Sequence, residues 1–148
     1  MSIGLRIAAG VGAAALLGAW VTMRHRRVPG DELHAPPGFQ VTTFAHVSDA
    51  RFMAVGPDGA VYVSEPELGQ VVRLVDTGHG VADSVTVFAS GLDGPHGIAF
   101  HGGAIYIAGH TGVVRIAGGT RTVLNQYTGG GGHSTRTIVF GGGPDSAM

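Results

Sequence analysis

The sequence predicts an all-β fold of repeated four-stranded sheets. First, the chain repeats itself from Gly38 onward. Arg51-Phe-Met-Ala-Val55 leads through Gly-Pro-Asp-Gly to Val61-Tyr-Val-Ser64, and His96-Gly-Ile-Ala-Phe100 leads through His-Gly-Gly to Ile105-Tyr-Ile-Ala108. A third string, Arg136-Thr-Ile-Val-Phe140, leads to Gly-Gly-Gly-Pro-Asp145. Val55, Phe100 and Phe140 hold equivalent places, 45 and then 40 residues apart. Second, most of the 27 glycines fall between short apolar runs, where turns between strands need them. Third, Val71-Val72, Val85-Thr-Val87 and Val113-Val114 are β-branched runs, which favour strand over helix. A period near 45, made of short strands and tight turns, indicates the blades of a β-propeller.

The N-terminus is different in kind. Ile7 to Met23 is uncharged and rich in Ala, Gly and Leu, with Arg6 before it and Arg24, His25, Arg26 and Arg27 after it. Such a run lies at the short end of what spans a bilayer. Residues 1–27 therefore read as a hydrophobic helix that serves as a membrane anchor or export signal; a buried Ala/Gly-rich helix is the alternative. The positive-inside rule puts the arginine-rich flank in the cytoplasm. A signal peptide instead carries its charge in front and ends in a small-residue cleavage site, so the orientation stays open. The expected location is periplasmic or extracellular, anchored or secreted, with membrane contact through residues 7–23. Residues 28–37 contain three prolines and read as a linker.

Residues 38–148 read as an incomplete propeller of about two blades plus one strand. The first blade has strands near 51–55, 61–65, 71–75 and 85–89. The second has them near 97–101, 104–108, 113–116 and 121–125. Segment 39–45 reads as an extra strand that would close a blade from the other end of a complete ring, and 136–140 as the first strand of a third repeat. Pro57-Asp58-Gly59 is a turn: Pro presets φ, Asp accepts a local hydrogen bond and Gly takes positive φ. The third repeat stops where its second strand should begin, with Pro144-Asp145-Ser-Ala-Met148. A closed ring needs at least four blades, and an open one leaves an apolar edge. The expectation is a fragment, a truncated gene product, or a piece that needs a partner.

Bulk composition excludes several functions. Charged residues make up 13% of the chain, against about 25% in ordinary globular proteins. The net charge of −1 gives no basic face for nucleic acid. With no cysteine there is no disulfide framework and no thiolate metal site. No histidine pair has the spacing of a helical metal site, and no metal ligand is assigned. His25 belongs to the basic flank, while His34, His46, His79, His101 and His110 read as linker or turn residues. Glu65, Glu67 and Asp93 read as isolated carboxylates without acid–base partners. Phe52, Tyr62, Phe88, Phe100, Tyr106 and Phe140 read as packing between blades.

Several strings resemble a known family. Pro36-Pro-Gly-Phe-Gln40, Ala50-Arg-Phe-Met-Ala-Val-Gly-Pro-Asp-Gly59, Tyr62-Val-Ser-Glu65, Gly94-Pro-His-Gly-Ile-Ala-Phe100 and Gly132-His-Ser-Thr-Arg-Thr137 are similar to the soluble quinoprotein glucose and sorbosone dehydrogenases, closest to the sorbosone and pyranose dehydrogenase branch. The resemblance covers roughly residues 36–145. The Gly-Pro-Asp-Gly turn is common to many propellers; the Gly-His-Ser-Thr-Arg-Thr string is much more specific. The resemblance implies a six-bladed propeller with pyrroloquinoline quinone at the mouth of the channel and calcium beside it. It implies a sugar or aldehyde substrate, an electron acceptor that the sequence does not name, and His133 as the base that removes the hydroxyl proton. The family's calcium ligands and most quinone contacts come from later blades, so activity is expected of the complete ring rather than of this chain alone.

The residues fit those roles to different degrees. A base for alcohol oxidation should titrate near working pH, as His does. His133 follows Gly129 to Gly132, a loop with little bulk that lets a ligand approach the backbone. Arg51, His96 and Arg136 each stand four residues before Val55, Phe100 or Phe140. Each therefore begins the innermost strand of its repeat, at one end of the channel. Arg136 would pair bidentately with a quinone carboxylate or bond to loop carbonyls. His96 would line the substrate site or hydrogen-bond between blades; Arg51 reads as structural. Two rivals use the same repeat: a non-catalytic binding propeller of the NHL type, and a regucalcin-like lactonase with metal-binding carboxylates in its channel.

Overall fold

The computed structural model describes residues 35–128 and 135–141, and the strands belong to one unit, Pro36–Met148. Each apolar run between two turns becomes a strand. They are β1 (Phe52–Val55), β2 (Val61–Glu65), β3 (Gln70–Val75), β4 (Ser84–Ala89), β5 (Ile98–His101), β6 (Ala104–Ala108), β7 (Gly112–Ala117) and β8 (Thr120–Gln126). Every strand end lies within one residue of the expected position. The described residues form an all-β structure of two antiparallel four-stranded sheets, in the orders β1-β2-β3-β4 and β5-β6-β7-β8. Open sheets of this kind fit part of a propeller. The hydrophobic segment 7–23 and most of the linker lie outside the described residues. Among the described residues no helix is long and apolar enough to cross a membrane.

The β1–β2 turn shows how sequence sets geometry. Gly59 takes φ +77°, the Asp58 carboxylate accepts from the Ala60 amide at 3.2 Å, and the Gly56 amide donates to the Ala60 carbonyl at 2.8 Å. Register places Tyr62 opposite Arg73, so both reach the same carboxylate. Arg73 donates to Asp58 Oδ2 through Nε at 2.9 Å and Nη2 at 2.7 Å, and the Tyr62 hydroxyl donates to it at 3.2 Å. The Arg73 hydrogen bonds hold the Asp58 carboxyl below its ordinary value of 3.8. A depressed folded-state value contributes stability above the unfolded value, lost as pH falls through the folded one. Asp58→Asn is therefore expected to lower the unfolding midpoint at neutral pH, with the gap to the parent closing below about pH 4. Chemical denaturation across that range measures it.

Two apolar clusters hold the sheets. The first lies between them: Tyr62, Val71, Ile98, Ile105 and Ile107 are buried there, with Phe52, Ala54 and Phe100 against them. Phe100 and Phe88 both meet Tyr62 edge-on, at 5.0 Å and 5.1 Å. Such tilted pairs suit the quadrupoles of aromatic rings. The second cluster, Val63, Val72 and Leu74, lies on the opposite face of the first sheet beneath Phe44, Ala45 and Val47.

Segment 39–45 forms no strand among the described residues. The Ala82 amide, in the β3–β4 connection, donates to the Phe44 carbonyl at 2.8 Å, and a blade from the other end of a ring would supply the ladder. Phe44 and Ala45 serve as cover for the second cluster. Segment 136–140 likewise pairs with no strand among the described residues. It still lies against the second sheet: Phe140 stacks on His101 at 4.5 Å and meets Tyr106 edge-on at 4.7 Å. His101 is thus the last residue of β5 and not a turn residue.

The repeat extends to fine detail. The β3–β4 pairing shifts between Val71 and Val72, and the β7–β8 pairing shifts between the equivalent Val113 and Val114. Each bulge leaves one extra residue, Phe88 or Leu124, in the outer strand.

Candidate functional site

The starts of the inner strands gather at the end opposite the Asp58 turn. Phe52 stands 5.7 Å from the His96 ring, so β1 and β5 begin side by side. The Arg51 amide donates to the Ser64 carbonyl at 2.9 Å, and the His96 amide donates to the equivalent Ala108 carbonyl at 2.8 Å. Both inner strands are thereby fixed to their second strands at this end.

The third repeat joins here. Gly97 donates its amide to the Arg136 carbonyl at 2.9 Å, and His96 Nδ1 lies 3.0 Å from the same oxygen. A carbonyl only accepts, so Nδ1 carries the proton and, in the neutral ring, Nε2 keeps its lone pair. Gly97 makes the approach possible: a Cβ there would stand 2.7 Å from the Arg136 carbonyl and 2.8 Å from Thr137 Cα. The Arg136 guanidinium lies 4.4 Å over the Tyr127 ring, within cation–π range. The Tyr127 hydroxyl reaches the Gly109 carbonyl at 3.1 Å and the Gly112 carbonyl at 3.3 Å. Arg136 Nε is buried and has no hydrogen-bond partner.

Of the residues singled out in the sequence, His96 and Arg136 are brought together, and Arg51 is exposed at the start of β1. His96 makes the hydrogen bond between repeats that was one of its two readings. His133 lies outside the described residues. Tyr127 was missed, although its place at the end of β8 put it near the Arg136 segment. Asp93 was read as isolated, yet its carboxylate accepts from the Thr111 hydroxyl and lies 3.9 Å from His110 Nδ1. The Asp49 carboxylate accepts from the Glu67 amide at 2.6 Å. Both aspartates tie the start of a repeat to its β2–β3 or β6–β7 turn, and each stands 18 residues before its partner. Glu65 is 3% exposed and accepts from Gln70 Nε2 at 2.7 Å, a cross-strand partner that register supplies.

At the opposite end Asp76, His79 and Asp83 gather closely enough to hold an ion. Their carboxylates are already engaged within the β3–β4 connection. Asp76 accepts from the amides of His79 and Gly78 at 2.8 Å, which hold it below the ordinary carboxylate range. Asp83 accepts from the hydroxyl and amide of Thr77 at 2.7 Å and is lowered in the same way. These bonds account for the loop's shape, and the group is separate from the His96 end. A cleft of about 510 Å³ also opens at that opposite side, lined by Asp58, Tyr62, Phe88, Phe100, Ile116 and Arg121.

No known protein family matches the chain, and no curated protein matches it.

Proposed function

We propose that the chain is part of a six-bladed propeller that oxidises a sugar hydroxyl or aldehyde with pyrroloquinoline quinone. The observation that carries this reading is Arg136 Nε, a buried donor without a partner at the end where the inner strands begin. Such a donor costs about 1–3 kcal/mol when unsatisfied. A carboxylate offers the acceptor that it lacks, and the quinone bears carboxylates. This one donor suits a carboxylate of the cofactor. No calcium ligand is assigned to the described residues.

The bound quinone supplies a two-electron acceptor for hydride. Arg136 holds a carboxylate by charge-assisted hydrogen bonding, its guanidinium kept in place by the Tyr127 ring. His96 presents Nε2 to a substrate hydroxyl while Nδ1 stays committed to the Arg136 carbonyl, which fixes the ring. His133, three residues before Arg136 in the sequence, takes the hydroxyl proton as the carbinol carbon is oxidised. Isothermal titration of the protein with its full ring of sheets, using pyrroloquinoline quinone and calcium, tests the reading. Arg136→Ala is expected to weaken binding by roughly 10- to 100-fold, the worth of a hydrogen bond to a charged group. A parent protein with its full ring that takes up no quinone would overturn it.

Residues 1–27 direct the protein to the membrane or beyond it, an assignment that rests on the uncharged run from Ile7 to Met23. Deleting residues 1–27 is expected to move the protein from the membrane or exported fraction to the soluble cytoplasm. Unchanged fractionation would remove the targeting role.

A further inference from the structure

The third repeat is held against the second sheet at both ends of β5. At the start, the Gly97 amide donates to the Arg136 carbonyl at 2.9 Å, and His96 Nδ1 donates to the same oxygen at 3.0 Å. Both bonds converge on one atom, so they fix a point and not a direction. No ladder joins segment 136–140 to β5 among the described residues. The direction is set at the far end, where Phe140 lies nearly parallel to the His101 ring, at 4.5 Å and 17°, and meets Tyr106 edge-on at 4.7 Å. His101 departs from the repeat here. Its equivalent is Gly56, which follows Val55 as His101 follows Phe100. A Cβ at Gly56 would stand 2.6 Å from the Tyr62 ring and 3.2 Å from Phe100, so that junction leaves no room for a side chain. At the second junction the same place carries an imidazole, and Phe140 gains a second ring to rest on.

We propose that His101 is a positioning residue for Arg136 and His96: by clasping Phe140 it keeps the third repeat aligned with the second. Arg136 belongs to the third repeat and His96 to the second, so the geometry between their side chains depends on contacts between repeats. A side chain leaves its backbone in a direction set by the run of the chain. A segment free to pivot about one pinned oxygen would therefore turn the Arg136 guanidinium relative to the His96 ring. The clasp on Phe140, four residues along, removes that freedom. His101 touches neither group and acts only through the segment. The catalytic consequence rests on the quinone reading above; the clasp itself does not.

Amide hydrogen exchange of the full chain, with no ligand added, tests the clasp. In His101→Ala the Gly97 amide is expected to exchange roughly tenfold faster, the worth of an aromatic pair. The Ala108 amide donates to the Gly97 carbonyl at 2.8 Å within the second sheet. It should keep its rate, which separates loss of the clasp from general loss of stability. His101→Phe keeps a ring to stack on Phe140 and should restore the parent rate at Gly97. In the protein with its full ring of sheets, His101→Ala should lower turnover at saturating quinone and sugar by roughly tenfold, as a small misplacement of reacting groups does. Quinone affinity should stay close to the parent's, and His101→Phe should restore turnover. Unchanged Gly97 exchange in His101→Ala would overturn the clasp, as would equal acceleration at Ala108 or no rescue by His101→Phe. Faster Gly97 exchange with unchanged turnover would overturn the positioning role. A parent that takes up no quinone would overturn the quinone reading and the catalytic half of the proposal, while exchange at Gly97 decides the clasp by itself.

Discussion

Replacing His133 with Ala is expected to lower turnover by roughly 10²–10⁴, the usual cost of a lost general base, with quinone binding retained. The proton on the substrate hydroxyl must leave as the carbinol carbon gives up hydride. Without a base that proton goes to water, and the barrier rises. The effect should fall on kcat and kcat/KM together, since the base acts on the reacting bond and not on sugar recognition. Arg136→Ala should show the reverse pattern, with weakened quinone binding and turnover that recovers at saturating quinone. Steady-state kinetics on the protein with its full ring of sheets, loaded with quinone and calcium, separates the two. Equal turnover in the His133→Ala and parent proteins would remove His133 from the mechanism and leave the two-sheet architecture untouched.

The second large effect concerns folding. Ile107 on β6 is 1% exposed and sits in the cluster between the sheets. Ile107→Ala leaves a cavity there and is expected to cost about 2–5 kcal/mol. In a domain of this size the thermal midpoint should fall by about 10 °C or more. Val87 on β4 is 57% exposed, so Val87→Ala should stay within about 0.5 kcal/mol of the parent. Urea denaturation of both variants measures the difference, and equal losses would show that the packing between sheets does not hold the unit together.

Most strands were legible because they are short and flanked by glycine or proline, so local chemistry marks their ends; β8 is mostly polar, and β1 has no glycine or proline just before it. Segment 39–45 shows the limit. Phe39-Gln-Val-Thr-Thr-Phe44 has the β-branched composition of a strand, but composition does not say whether a ladder partner stands beside it. That is decided by which face needs cover, and Val63, Val72 and Leu74 recruit Phe44 as a lid. The candidate site was legible in part. Equal offsets in the repeat placed His96 and Arg136 at one end. That the link runs from a ring nitrogen to a carbonyl 40 residues away depends on how closely two backbones approach, which Gly97 permits. The Asp58–Arg73–Tyr62 group was hidden for another reason: its members meet only once the register sets Tyr62 opposite Arg73.

The matching bulges at Val71/Val72 and Val113/Val114 bear on ancestry. An irregularity copied at the same register is a mark of duplication, because two independently evolved sheets have no reason to share it. Every described ladder closes within its own sheet, and the sheets meet mainly through side chains. Recombination between misaligned copies of such a gene therefore inserts or deletes a whole sheet without breaking a ladder. The number of sheets is then free to drift by single steps while each module keeps its own hydrogen bonds.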